Sequence, residues 1–552
     1  MSGGNQYCDC NPCRDSTGPQ VGREKVRNYR RAKSLLITGF IALEILASFP
    51  LAQAQQPRPS CAQAQPYLTG AQAALKANDA ASAFEKLNAA LGVDPKCADA
   101  HLLLGLTEFQ RGEVAKAIQH YRQALKLDPR SYSAHYDLAL AYIKDKKLQP
   151  ARAELEQAVA LDPKQANAAY DLGLVLLEMG QPAAALRSLR RARALTPERP
   201  DVSFNLVRAS LEAGRLEDAR QAAKQAPNKL TSDFQWNAAL GQEFLKHAQP
   251  KDALPYLRAA NAARPANGDV RIQLATAYLA SRQPDSVLEL IEAPTTADEH
   301  YLRASAFYQA HRFPEADQES DAALTLAPEN PKVLVLRVRL LQRAGQQEEA
   351  LEMAHKACNL APQWDEPFYL AGIGYYLLRH YAEARQNLTR AFELNPKSST
   401  AIFMAALSSA SDGEPREAER LLRRAIALQP DNARFHCHLG ILLMRLNDYT
   451  KAEVSLKRAA QLKPEYPLPH YELGKLWVYA KQWNDARQAF ESTIAADPGF
   501  TSAYYQLARV YASLGDREKS ERVLADFRRL HQKEKDDSAV VDEDAKSESD
   551  QQ

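Results

Sequence analysis

Residues 132–165 read YSAHYDLALAYIKDKKLQPARAELEQAVALDPKQ, and the spacing within this stretch decides the fold. Tyr136, Leu138, Ala139 and Tyr142 fall at helical intervals and make one apolar stripe; Ala151, Leu155 and Ala158 make a second. Asp145-Lys146-Lys147 between them is a polar turn, and Pro163 ends the second helix because a proline cannot continue it. The unit therefore reads as two antiparallel helices, each with a single apolar face.

Working outward, the same unit recurs. Pro95, Pro129, Pro163 and Pro197 are each 34 residues apart, and after Pro265 the series resumes at Pro328, Pro362, Pro396, Pro430, Pro464 and Pro498. Small residues recur where the paired helices must approach closely. In the first helix these are Gly105, Ala139, Gly173, Gly241, Gly372, Gly440 and Gly474. In the second helix an alanine holds one place from Ala117 and Ala151 through to Ala486. A fixed period of this length marks a repeat architecture, in which each unit buries its apolar faces against its neighbours.

The repeat resembles the tetratricopeptide repeat family: Leu138-Ala139-x-x-Tyr142 stands for the family's L-G-x-x-Y core, Ala151 and Ala158 for its later alanines, and Pro163 for its terminal proline. The resemblance implies an all-α fold, a right-handed α-solenoid of stacked antiparallel helix pairs. Fourteen units are expected, starting near 64, 98, 132, 166, 200, 234, 268, 297, 331, 365, 399, 433, 467 and 501. Two depart from the pattern. The unit from 200 has Thr231 in place of the proline and Pro227 earlier, and the unit from 268 is five residues short. Five residues exceed one helical turn, so a kink is expected near 291–300. It would divide the array into halves of seven units, 64–296 and 297–534. In the last unit Ser520 and Phe527 stand where alanines are usual, and its second helix, to about His531, is expected to cap the array.

The two ends differ in composition. Arg27, Arg30, Arg31 and Lys33 precede an apolar run from Leu35 to Phe49 and the small-x-small site Ala52-Gln53-Ala54, the three parts of a secretory signal peptide. The expected order is an extension and basic region over 1–33, the apolar region and cleavage site over 34–54, and a linker over 55–63. Cleavage after Ala54 would place the chain in the periplasm or outside the cell; membrane contact is expected only through an uncleaved signal. Cys8, Cys10 and Cys13 have no fourth ligand nearby and would leave with the signal, so they are read as lying ahead of a translation start near Val26. Residues 535–552, rich in Lys, Asp, Glu and Ser, are expected to be a disordered tail.

Composition bounds the function. The chain has 552 residues, 45% hydrophobic and 25% charged, with only 22 glycines. Seventy Lys and Arg against 68 Asp and Glu leave +2, which becomes −1 once residues 1–54 are removed, so no nucleic-acid partner is expected. Phosphate-cradling and nucleophile-elbow motifs are missing from the sequence. His436 and His438 point about 200° apart on a helix, so they are read as packing residues with no shared metal. The chain is therefore expected to have neither a catalytic centre nor a cofactor.

Cys61 lies just before the first unit and Cys97 just before the second. Equivalent points on stacked helices are roughly 8–10 Å apart, beyond disulfide reach, although the segment 55–63 could close the gap. Bridge and free thiols both remain open on these grounds.

The family resemblance implies that first helices line a concave groove and that partners bind there. The fifth residue of a unit faces that groove, and here it is Tyr136, Tyr170, Phe204, Tyr301, Tyr369, Phe403, Tyr471 or Tyr505. Arg208, Arg339, Lys475 and Arg509 come one turn later, suited to acidic partner groups. The family's carboxylate clamp, a lysine at the fifth place and an asparagine four later, occurs in none of the units. The expected function is a protein- or peptide-binding scaffold of the bacterial envelope. The alternative is a glycan-binding component of polysaccharide export, with the tyrosines stacking on sugar rings.

Overall fold

The computed structural model describes residues 61–77 and 79–549, with side chains as far as Lys533. The expected signal segment and the cysteines ahead of it lie outside the described residues. Among the described residues there are twenty-eight α-helices and no strand, and none of the helices is long and apolar enough to cross a membrane. First helices begin at Gln65, Ala98, Tyr132, Ala166, Pro200, Phe234, Gly268, Ala297, Pro331, Asp365, Ser399, Ala433, Pro467 and Thr501. The proline period thus places every unit to within one residue.

Each unit closes in the same way. In the unit from 132, the helices Tyr132–Lys144 and Leu148–Leu161 are joined by Lys146, whose φ of 59° is left-handed. The Lys147 amide then donates to the Tyr142 carbonyl at 2.9 Å, which satisfies an acceptor at the end of the first helix. Within the pair the small residues set the spacing. A Cβ added to Gly173 would lie 2.6 Å from Leu189 Cγ, and one added to Gly440 would lie 2.5 Å from Leu456 Cγ. The alanines of the second helices, among them Ala117, Ala151, Ala253, Ala384 and Ala486, are fully buried.

Within each compact unit consecutive helices pack on one another to give an α-solenoid, and several neighbouring first helices also touch directly. First helices therefore form the tighter inner side of each stack. The chain divides into two compact units, one ending at Leu230 and the other beginning at Thr231. That boundary follows the nine-residue helix Leu216–Lys224 and the 3-10 turn Asn228–Leu230, where the repeat proline is displaced.

The expected kink region, 291–300, falls inside the second compact unit. There the shortened second helix is Pro284–Leu290, and the flanking first helices, Gly268–Ala280 and Ala297–Gln309, pack directly on each other. Glu299 is buried at this junction. It accepts from the Thr295 amide at 2.9 Å and pairs with Arg271. Burial pushes the Glu299 carboxyl up, yet the Thr295 and Arg271 hydrogen bonds outweigh it and hold the group at about 2.

The two ends of the described chain settle one open expectation and depart from another. Cys61 and Cys97 are joined by a disulfide, with Cα atoms 5.1 Å apart. The separation is shorter than that of stacked helices because Cys61 sits in a turn ahead of Gln65 rather than on the first helix. At the other end the last helix runs Arg517–Ser549, past His531 and through most of the segment read as a disordered tail. Lys, Glu and Ala are good helix formers, so the backbone continues as helix where the sequence supplies no apolar stripe.

Candidate functional site

The fifth-position rings occupy the inner side of both stacks, but in different surroundings. In the first compact unit they are tied by polar groups. The Tyr136 hydroxyl donates to Asp171 Oδ2 at 2.7 Å, and the Tyr132 ring stacks on Tyr136 with centroids 5.8 Å apart. The Tyr170 hydroxyl accepts from Asn205 Nδ2 at 2.9 Å, beneath the Arg199 guanidinium 4.7 Å from its ring centre. Arg199 is itself paired with Asp201 and donates to Asn167 Oδ1 at 2.7 Å. Burial first, and the neighbouring Asp171 and Asp201 next, push both phenols well above the usual tyrosine range. Phe204 is half-buried on the same side.

Asp137 lies among these rings, half-buried, with no hydrogen-bond or ion-pair partner among the described residues. Burial pushes its carboxyl up to about 7, and its charge acts on the Tyr121, Tyr132 and Tyr136 phenols.

In the second compact unit the rings pack on apolar neighbours. Tyr301 and Tyr369 are half-buried against core clusters. Phe403 is buried, 4.8 Å from Phe435 and edge-on to His438 at 5.2 Å. His438, Cys437 and His436 diverge. His438 is held neutral at about 4 by burial and by Arg434, and burial pushes the Cys437 thiol up to about 12. His436 Nε2 instead meets the Pro430 carbonyl at 2.9 Å.

Among the described fifth-position rings, an open one is found only at the C-terminal end. Tyr471 packs on Phe490 and Phe500 at 5.8 and 4.9 Å, while Tyr505 is 44% exposed. Phe527 faces Tyr505 at 5.5 Å and stacks on His531 at 5.5 Å. A cavity of about 670 Å³ lies among Tyr471, Phe500, Tyr505, Phe527 and His531, with Asp497 at its rim. The ring of Phe527 reaches this cavity because it replaces the alanine usual in a unit that has a successor. That substitution was the one sequence signal for the pocket, whereas Phe500 and His531 gave none.

The four cations expected to await acidic partners are mostly engaged within the chain. Arg208 Nε donates to Glu212 Oε1 at 2.9 Å, Arg339 pairs with Glu366, and Lys475 Nζ holds Glu472 at 2.8 Å. Lys475 also lies 5.4 Å over the Tyr471 ring. Acids three or four residues away, or on the next first helix, reach these cations first. Arg509 alone of the four has no carboxylate partner among the described residues; it contacts Gln506 at 3.3 Å and the Tyr505 ring at 5.9 Å.

Comparison with known proteins adds the family and little beyond it. Tetratricopeptide repeat profiles match residues 68–130 and 403–467, and also 108–172, 176–243, 244–306 and 478–539. No curated protein matches the chain. Among solved structures, that of the APC/C hetero-tetramer Cut9–Hcn1 is 14% identical with a TM-score of 0.40, covering 82% of this chain and 97% of that one. A structure of Naa15/Naa10 bound to HypK-THB is 16% identical with a TM-score of 0.36, covering 85% and 80%. The human IFIT1 dimer with m7Gppp-AAAA is 16% identical with a TM-score of 0.39, covering 66% and 90%.

Proposed function

The chain belongs to the tetratricopeptide repeat family, and from that premise we propose that it is an exported, non-enzymatic scaffold of the bacterial cell envelope. It takes an extended protein segment along the inner side of its second compact unit, anchored in the C-terminal cavity. The observation that carries this reading is the contrast in exposure along the seam. Most fifth-position rings are at least half-buried, and Arg208, Arg339 and Lys475 are paired with acids, whereas Tyr505 and Arg509 stand open beside the cavity. A half-open tyrosine beside a guanidinium without a carboxylate partner, both residue types that dominate interface energetics, suits a peptide bearing an apolar anchor and a nearby acid.

Export is supported by the signal-like segment 27–54 together with the Cys61–Cys97 disulfide, a bond that persists in oxidising compartments. N-terminal sequencing of exported material should begin at Gln55; a start ahead of the apolar run would end this part of the proposal. A photo-crosslinking residue at position 505, activated in intact cells, should trap one protein partner, and an added Arg509→Glu change should abolish the adduct.

The exposed Tyr505 face also favours a second reading, a sugar-stacking platform. Retention on immobilised polysaccharide that disappears in Tyr471→Ala and Tyr505→Ala, with no protein adduct, would replace the first reading with this one.

A further inference from the structure

Three units carry a histidine at the fourth place of the first helix that faces the residue nineteen positions later, on the second helix. In two of them that residue is a glutamate. His135 Nδ1 meets Glu154 Oε2 at 2.6 Å, and His300 Nδ1 meets Glu319 Oε2 at 2.7 Å. Each is a closed acid–base pair. In the unit from 98 the second-helix residue is another base: His101 Nδ1 faces His120 Nδ1 at 3.4 Å, with the rings stacked at 5.6 Å. Two imidazoles so placed gain little from each other, since a single proton must serve both nitrogens and two positive rings would repel.

The same nitrogen–nitrogen separation is what a metal ion requires. A tetrahedral zinc with bonds of 2.0–2.1 Å holds its ligand nitrogens about 3.3 Å apart. The His101 ring also makes a hydrogen bond to the Pro95 backbone, the outer contact that fixes which nitrogen carries the proton and leaves the other free to ligate. Both rings are half-buried, and burial lowers the pKa of each, the neutral form being the one that binds metal. Glu108 adds favourable charge. Its side chain is buried, its Oε2 has no hydrogen-bond partner and stands 3.8 Å from Arg111, and its field acts on His120.

We propose that His101 and His120 form a two-histidine site for a divalent transition-metal ion of the zinc, copper or nickel class, with water completing the shell. For His120 to ligate through Nδ1, the proton it shares with His101 moves to its own Nε2. No net proton is released and no electron is transferred. The ion would bridge the two helices of the second unit, which the Cys61–Cys97 disulfide joins covalently to the turn ahead of the first.

The test uses the mature chain without a histidine tag, titrated with Zn(II) at neutral pH in a non-chelating buffer. His120→Gln and His101→Gln should each weaken the tightest binding event by at least about tenfold, and His135→Gln should leave it unchanged. Cu(II) added to the wild-type chain should show coupling to two imidazole nitrogens by electron paramagnetic resonance, reduced to one or none in His120→Gln. Zinc binding that is absent in the wild type, or equal in His120→Gln, overturns the site. Should a variant lose its helical circular dichroism, the copper spectrum of the wild type decides, and a spectrum without nitrogen coupling overturns the site as well.

Discussion

Tyr136 and Tyr505 hold the same place in their repeats, the fifth residue of a first helix, yet their surroundings are opposite. Tyr136 is half-buried and bonded through its hydroxyl to Asp171 of the next first helix. Tyr505 is 44% exposed and looks across a cavity at Phe527. One ring ties neighbouring units together and the other waits for something to cover it. Position in a repeat therefore fixes which side a residue faces, while the next unit decides whether that residue is free. Among the described residues, Tyr505 meets no following first helix that could supply an acid.

The comparison can be broken by truncating each ring in turn. Tyr136→Ala should cost roughly 3 kcal/mol of stability in urea unfolding, as removal of a packed aromatic does, with partner binding intact once the chain is folded. Tyr505→Ala should leave the unfolding midpoint nearly unchanged and weaken partner binding by about 2 kcal/mol, measured by titration calorimetry with the crosslinked partner. The reverse pattern would show that the two rings had been assigned the wrong way round.

Subtler changes sharpen the same contrast. Tyr136→Phe removes only the hydroxyl and leaves Asp171 short of a donor, so about 1 kcal/mol should be lost. Tyr505→Phe should have no measurable effect on stability. A pH-dependent effect comes from Asp137, whose folded carboxyl is pushed up to about 7 by burial. A raised acid binds protons more tightly when folded, so its contribution is most favourable below the unfolded carboxylate range and declines as pH rises through 4 to 7. Asp137→Asn should therefore stabilise the chain above pH 7 and make no difference near pH 3, as read from unfolding midpoints across that range.

Much of this was legible in the sequence because the repeat is redundant. Proline, glycine and alanine each mark a different place in the unit, so the fourteen starts emerge even where one marker is missing. The Gly173–Leu189 contact explains why such a small residue recurs, since a Cβ there would overlap the facing helix. What the sequence hid was partnership. The Arg208–Glu212 pair is four residues apart and could have been read on a helix, but Arg339–Glu366 joins different units. The His101–His120 contact, nineteen residues apart, becomes visible only after the unit boundaries have been laid down. The helix through the charged C-terminal segment has no apolar periodicity to reveal it and rests on the propensity of Lys, Glu and Ala alone.

The disulfide ahead of the first helix has a kinetic consequence. In a stack whose members hold only their neighbours, structure is lost by fraying from a free end. The Cys61–Cys97 bond spans 36 residues and encloses both helices of the first pair, so that end cannot peel away. The last described repeat has no such bond, and the cavity lies there, among Tyr505, Phe527 and His531. A partner seated there would hold this end of the second compact unit shut, and its residence time would then set how long the last repeat stays folded.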